Sequence, residues 1–135
     1  MSVRSIAGIA SFHAHVYFEG DAQAAAARAL REALAARFAV RLGTWRDGPV
    51  GPHSRAMFQI AFAPGLFGSI VPWLMLNHGD LSILVHPNTG NDRRDHLDDR
   101  IWIGAALPLD AAALPEQETE PEPAGEVNTA PSVQP

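Results

Sequence analysis

Two stretches of helical periodicity, each set between segments of period two, constrain this chain more than any other feature. Ser11 to Phe18 alternates, with Phe12, Ala14, Val16 and Phe18 on one side and Ser11, His13, His15 and Tyr17 on the other. That pattern, rich in aromatic and β-branched groups, predicts a strand. Asp21 is placed to cap an Ala-rich helix reaching about Arg37, with Ala25, Ala29, Leu30, Ala33, Leu34 and Phe38 as its apolar stripe. Ala39 to Trp45 reads as a short second strand. Arg46 to His53 (RDGPVGPH) contains two Gly and two Pro and reads as a loop. Ala56 to Ala63 is a third strand. Pro64 opens a second helix that ends near Asn77–His78–Gly79, and Pro72 inside it predicts a kink or a split. Leu81 to His86 is a fourth strand. The stretch from Pro87 to Arg100 reads as a polar loop, and Ile101 to Gly104 as a short closing strand or turn.

The order β-α-β-β-α-β is the signature of a ferredoxin-like α+β fold, a four-stranded antiparallel or mixed sheet with two helices on one face. The rows Phe12/Val16, Phe58/Ile60/Phe62 and Leu81/Ile83/Val85 suit the helix-covered side. The uncovered side then carries His13, His15, Tyr17, Gln59, Ser82 and His86.

Composition narrows the chemistry. The 135 residues fit one domain over 1–115. Residues 116–135 hold four Pro and few apolar groups, and predict a disordered acidic tail. All ten basic residues are Arg, balanced by ten acidic residues up to Pro115. The net charge of −5 therefore belongs to the tail. With no basic excess, nucleic acid is not an expected partner. No apolar run is long enough for a membrane span, nothing at the start reads as a secretory signal, and a cytoplasmic location is the expectation. Without Cys there is no disulfide, thiolate metal site or Cys nucleophile, so any metal must be held by His, carboxylate or water.

The histidines meet that requirement. A His-x-His pair on a strand sets two imidazoles on one face, about 6–7 Å apart at their bases. Both can reach one ion at about 2.0–2.2 Å per bond. The fourth strand, antiparallel beside the first, brings His86 to the end where His13 lies. We further expect the third strand to run parallel to the first, which would deliver His53 to that same end. Three protein ligands leave positions open for substrate, the pattern of a catalytic rather than a structural site. Imidazole alone does not choose among Fe, Zn, Cu and Ni. His78 reads as a helix-end residue, and His96, among Asp92, Asp95, Asp98 and Asp99, as part of a solvated loop, with a lid or a fourth ligand as the alternative.

HAHVYF (His13–Phe18), GPH (Gly51–His53), VPWLMLNHGDLSILVHPNTG (Val71–Gly90) and DHLDDRIWIG (Asp95–Gly104) together resemble the DOPA 4,5-dioxygenase family, over about residues 11–104. The resemblance implies a ferredoxin-like fold and extradiol cleavage of a catechol such as DOPA or a related catecholic acid, with dioxygen as co-substrate. It implies Fe(II), with Zn or another divalent metal as a substitute on purification, held by His13, His15 and His86. His53 is implied as proton shuttle, Tyr17 and Gln59 as groups that orient the ring, and Arg93 as the partner of a substrate carboxylate. No Asp or Glu falls on the histidine face, so a three-histidine ligand set is expected unless Asp92 or Asp95 folds back. A homodimer is also expected. The competing reading is a dimeric small-molecule or metal-binding protein without turnover, with the histidine face as its pairing surface.

Overall fold

In a computed structural model describing residues 1–135, the alternating segment Ser11–Phe18 is the central strand β1. Helix α1 (Gly20–Ala35), strand β2 (Arg41–Leu42), strand β3 (Ala56–Phe62), helix α2 (Phe67–Asn77), strand β4 (Ser82–Asn88), helix α3 (Asp92–Leu97) and strand β5 (Ile101–Ile103) follow. Short 3-10 turns occupy Ile6–Gly8, Pro64–Leu66 and Ala111–Ala113.

The sheet order is β2-β3-β1-β4-β5, with every neighbouring pair antiparallel. The first four strands have the ferredoxin-like arrangement, and β5 adds a fifth at the outer edge of β4. Two expectations are corrected here. The sheet has five strands, because Ile101–Ile103 pairs with Ile83–Val85. The third strand runs antiparallel to the first, since Phe12 faces Phe62 and Phe18 faces Ala56. The crossover through α1 makes β2 parallel to β1, and β3, its reverse, fits between them.

Helices α1 and α2 cover one face. Ala27, Leu30 and Leu34 of α1 and Ile70, Val71 and Leu74 of α2 pack with Val16, Phe58, Ile60, Phe62, Ile83 and Val85 in one cluster. The stripe on α1 thus passes through Ala27, Leu30 and Leu34, with Phe38 buried just beyond its end, while Ala25 and Ala29 are exposed. Glu19, not Asp21, is the N-cap residue; Asp21 lies in the first turn. Helix α2 continues through Pro72, whose ring removes one backbone donor but whose neighbours Ile70, Val71 and Leu74 remain buried.

The opposite face is covered as well, by irregular chain. The loop before β3 is fastened by paired backbone bonds between Arg46 and Met57 and by Val50–His53 and His53–Leu109 bridges. Trp102, Leu107 and Leu109 lie on Tyr17, Met57 and Leu84. Helix α3 is anchored by Asp95, whose carboxylate accepts from the Thr89 N–H at 2.9 Å and from the Thr89 hydroxyl. Where sequence led us to expect an uncovered surface, His13, His15, Tyr17, Ser82 and His86 are all buried. Residues 116–135 form no helix or strand. They meet the body at a few points. Thr119 N–H donates to the Gly90 carbonyl, the Ser11 hydroxyl to the Glu122 carbonyl, and Asn128 exchanges bonds with the Leu42 backbone. These contacts are polar. No helix is long and apolar enough to cross a membrane.

Candidate metal centre

Strand register builds the site. His13 and His86 are direct cross-strand partners on β1 and β4, and His15, two residues on, points the same way as His13. The His13 ring centroid is 5.1 Å from that of His86 and 5.9 Å from that of His15. The His15 and His86 rings stack at 5.2 Å, with their Nε2 atoms 3.1 Å apart.

His53 joins by another route than the one expected. Because β3 is antiparallel to β1, its entering loop arrives at the Tyr17 end, and the loop folds back so that His53 lies 4.2 Å from the His15 ring. The Tyr17 hydroxyl is 2.5 Å from His53 Nδ1. His96 is the residue sequence reading ranked too low. Taken as part of a solvated loop, it is buried on α3, with its ring 3.9 Å from that of His86 and 6.0 Å from that of His15. The signal was present: Asn91 caps α3 by accepting from the Arg94 N–H, and Asp92 and Asp95 occupy the first turn. His78 stays apart, at the end of α2, with its Nδ1 bonded to the Leu81 carbonyl.

Five imidazoles therefore share one buried space. Two triads, His13/His15/His86 and His15/His53/His96, each place their ligand atoms within 4.8 Å of one another. Backbone carbonyls fix two tautomers. His86 Nδ1 donates to Pro87 at 2.9 Å and His96 Nδ1 to Asp92 at 2.7 Å, so each Nε2 keeps a free lone pair. This outer bond is the usual orienting device for a metal-ligating imidazole. Two ligands about 2.1 Å from one ion in adjacent positions stand about 3 Å apart, which the His15–His86 spacing matches. His15 Nδ1 is buried without a partner. The donor set fits a divalent transition metal.

Electrostatics agree with neutral imidazoles. Burial, reinforced by the neighbouring histidines, holds His13 and His53 down to about 4 and keeps His15 and His86 well below the usual range. Burial also lowers His96, against the raising effect of the Asp92 carbonyl. Tyr17 is pushed up by burial and keeps its proton. Neither Asp92 nor Asp95 belongs to the two converging triads: the Asp92 backbone carbonyl accepts from His96 Nδ1, and the Asp95 carboxylate accepts from Thr89. The carboxylate that does approach is Glu122, whose Oε2 is 3.8 Å from His13 Nε2.

The other sequence candidates divide. Gln59, paired across from His15, is half-buried in the wall of a cavity that also contains His53. Tyr17 is sealed beneath Trp102 and reaches His53 rather than open space. Arg93 is engaged by the Ala111 carbonyl at 3.3 Å and by Glu116 at 3.5 Å, and takes no part in that cavity.

The profile of the Dopa 4,5-dioxygenase family matches residues 12–113. The chain belongs to this family. It is 38% identical over 120 residues to the DOPA 4,5-dioxygenase of Amanita muscaria, an alignment spanning 83% of this chain and 53% of that protein. It is 40% identical over 115 residues to an uncharacterized 21.2 kDa protein of Botryotinia fuckeliana, spanning 77% and 63% respectively. This chain thus spans little more than half the length of these fungal relatives. A crystal structure from Nostoc punctiforme, described as a "putative dioxygenase", superposes with a TM-score of 0.80 at 50% identity, covering 82% of this chain and 96% of that one. His13, His15, His53, His86 and His96 all fall within the family match.

Proposed function

We propose that this member of the family is a metal-dependent extradiol dioxygenase that opens the ring of a catechol such as DOPA or a related catecholic acid. The observation that carries the reading is the buried imidazole cluster, with the tautomers of His86 and His96 set by backbone carbonyls and the Nε2 atoms of His15 and His86 at ligand-edge spacing. His13, His15 and His86 would hold Fe(II). When bound, such an ion supplies Lewis acidity toward phenolic oxygens and a common point at which catechol and dioxygen are brought together.

The chain's own groups do the rest. His53, neutral above about pH 4, is free to take a phenolic proton. In that role His53 Nδ1–H donates to the Tyr17 oxygen, which fixes the ring and leaves the Nε2 lone pair for exchange with substrate. Gln59 offers an amide from the cavity wall to orient the ring. The covering segments around Trp102, Leu109 and α3 exclude bulk water. Trp102, Leu109 and α3 cover much of the histidine face, which weighs against that face as a pairing surface; homodimer formation and a cytoplasmic location remain part of the proposal.

The test is anaerobic loading with Fe(II), followed by a catecholic acid and air. Oxygen uptake with growth of a yellow semialdehyde supports the reading. An unchanged spectrum with several catechols, in protein carrying one equivalent of iron, favours the binding module without turnover.

A further inference from the structure

The segment after β2, the GPH loop and β3 line an open cavity of about 390 Å³ whose wall includes Thr44, Arg46, Val50, His53, Met57 and Gln59. His53 is its inner boundary, and the His15 ring stands 4.2 Å beyond. Arg46 is the cation of this wall. Its backbone is held by paired bonds to Met57, N to O at 2.9 Å and O to N at 3.0 Å, so the residue is fixed while its side chain stays exposed. No carboxylate pairs with that side chain, whereas Arg93, the other candidate for a substrate carboxylate, is paired with Glu116. The nearby Asp47 carboxylate instead accepts from the Trp45 indole at 2.9 Å.

We infer that Arg46 is the specificity-determining residue of the site, pairing with the carboxylate of an aryl-alkyl acid whose ring is directed past Met57 and Gln59 toward His53. This rests on the proposed function and replaces Arg93 in the role that resemblance suggested. A guanidinium has the fork geometry for a carboxylate, and one lining an open cavity without an internal partner is free to use it. Met57 and Val50 supply apolar wall for the ring, and Gln59 a polar contact.

The test separates binding from turnover. Full-length zinc-loaded protein is titrated calorimetrically, without oxygen, with 3-(3,4-dihydroxyphenyl)propanoate and with 4-methylcatechol. Wild type is expected to prefer the acid. Arg46→Gln should weaken the acid about tenfold or more and leave 4-methylcatechol unchanged. Arg46→Lys should retain part of the preference, and Arg93→Gln all of it. The inference is overturned if wild type shows no preference for the acid, if Arg46→Gln keeps the preference, or if Arg93→Gln is the variant that loses it. Circular dichroism of each variant checks folding. A preference that depends on Arg46 in a protein whose iron form consumes no oxygen with either compound leaves the anion site standing and removes the oxygenase reading. Oxygen consumption with the preference intact in Arg46→Gln does the reverse.

Discussion

The two faces of the sheet are made by the same strands and closed in opposite ways. On one, alternate residues of β1, β3 and β4 meet the stripes of α1 and α2, and stability comes from apolar burial. On the other, the intervening residues of those strands include His13, His15 and His86, and the cover is a Gly/Pro loop, a six-residue helix and the segment around Trp102 and Leu109. Buried imidazoles without a metal are costly to desolvate, so this face trades stability for chemistry. The contrast teaches that a helix-packed face can serve as a rigid support from which one row of side chains is aimed.

The largest expected effect breaks the supporting face. Phe58, fully buried among β-strand and helix residues, should cost about 3–5 kcal/mol on truncation to Ala. Urea unfolding should register that loss, with metal stoichiometry retained in whatever protein is folded. His86→Ala sharpens the contrast from the other side. Metal binding should be lost, measured by elemental analysis, while thermal stability of the metal-free protein changes far less than in the Phe58 variant.

Acidification of metal-free protein should act through the histidine face. His13 and His53 are held at about 4, below the usual 6.5, so the unfolded chain binds more protons between those values. Stability is therefore greatest above about pH 6.5 and falls as pH drops toward 4. Melting temperature followed from pH 7.5 to 4.5 should decline, and the Phe58→Ala curve should run parallel below wild type. A flat profile would mean that the imidazoles are not desolvated.

Tyr17→Phe is a smaller perturbation. It removes the hydroxyl that fixes His53, with an expected loss in kcat of about tenfold. Bound metal should stay at one equivalent, and the pH dependence of kcat should shift. The smallest effect is removal of residues 116–135. Several backbone and side-chain bonds are lost, so a fall in melting temperature of a few degrees is expected, with greater access to His13.

Period two and period 3.6 were enough to read β1 with its bounds, β3 within one residue, both large helices and the division of the faces, because those features are set by burial of regular elements. The His13–His86 pairing followed from antiparallel neighbours alone. What escaped has physical reasons. The direction of β3 depends on how the crossover threads, and reading it as parallel sent His53 to the wrong end. Helix α3 is too short for its periodicity to show in DRRDHL, so His96 passed for a solvated residue despite its Asn91 cap. The contacts of Asn128 and Thr129 with the β2 segment are polar and leave no hydrophobic pattern. Arg93 and Arg46 are alike in sequence, and only the position of Glu116 and the folding of the GPH loop distinguish them.

Anaerobic titration of the full chain with Co(II), read by its ligand-field spectrum and by elemental analysis, tests the centre most directly. The account predicts one tightly held ion per chain with nitrogen ligation in wild type, and its loss in both His15→Ala and His86→Ala. Stoichiometric binding that survives either substitution, or no binding by wild type, would contradict it.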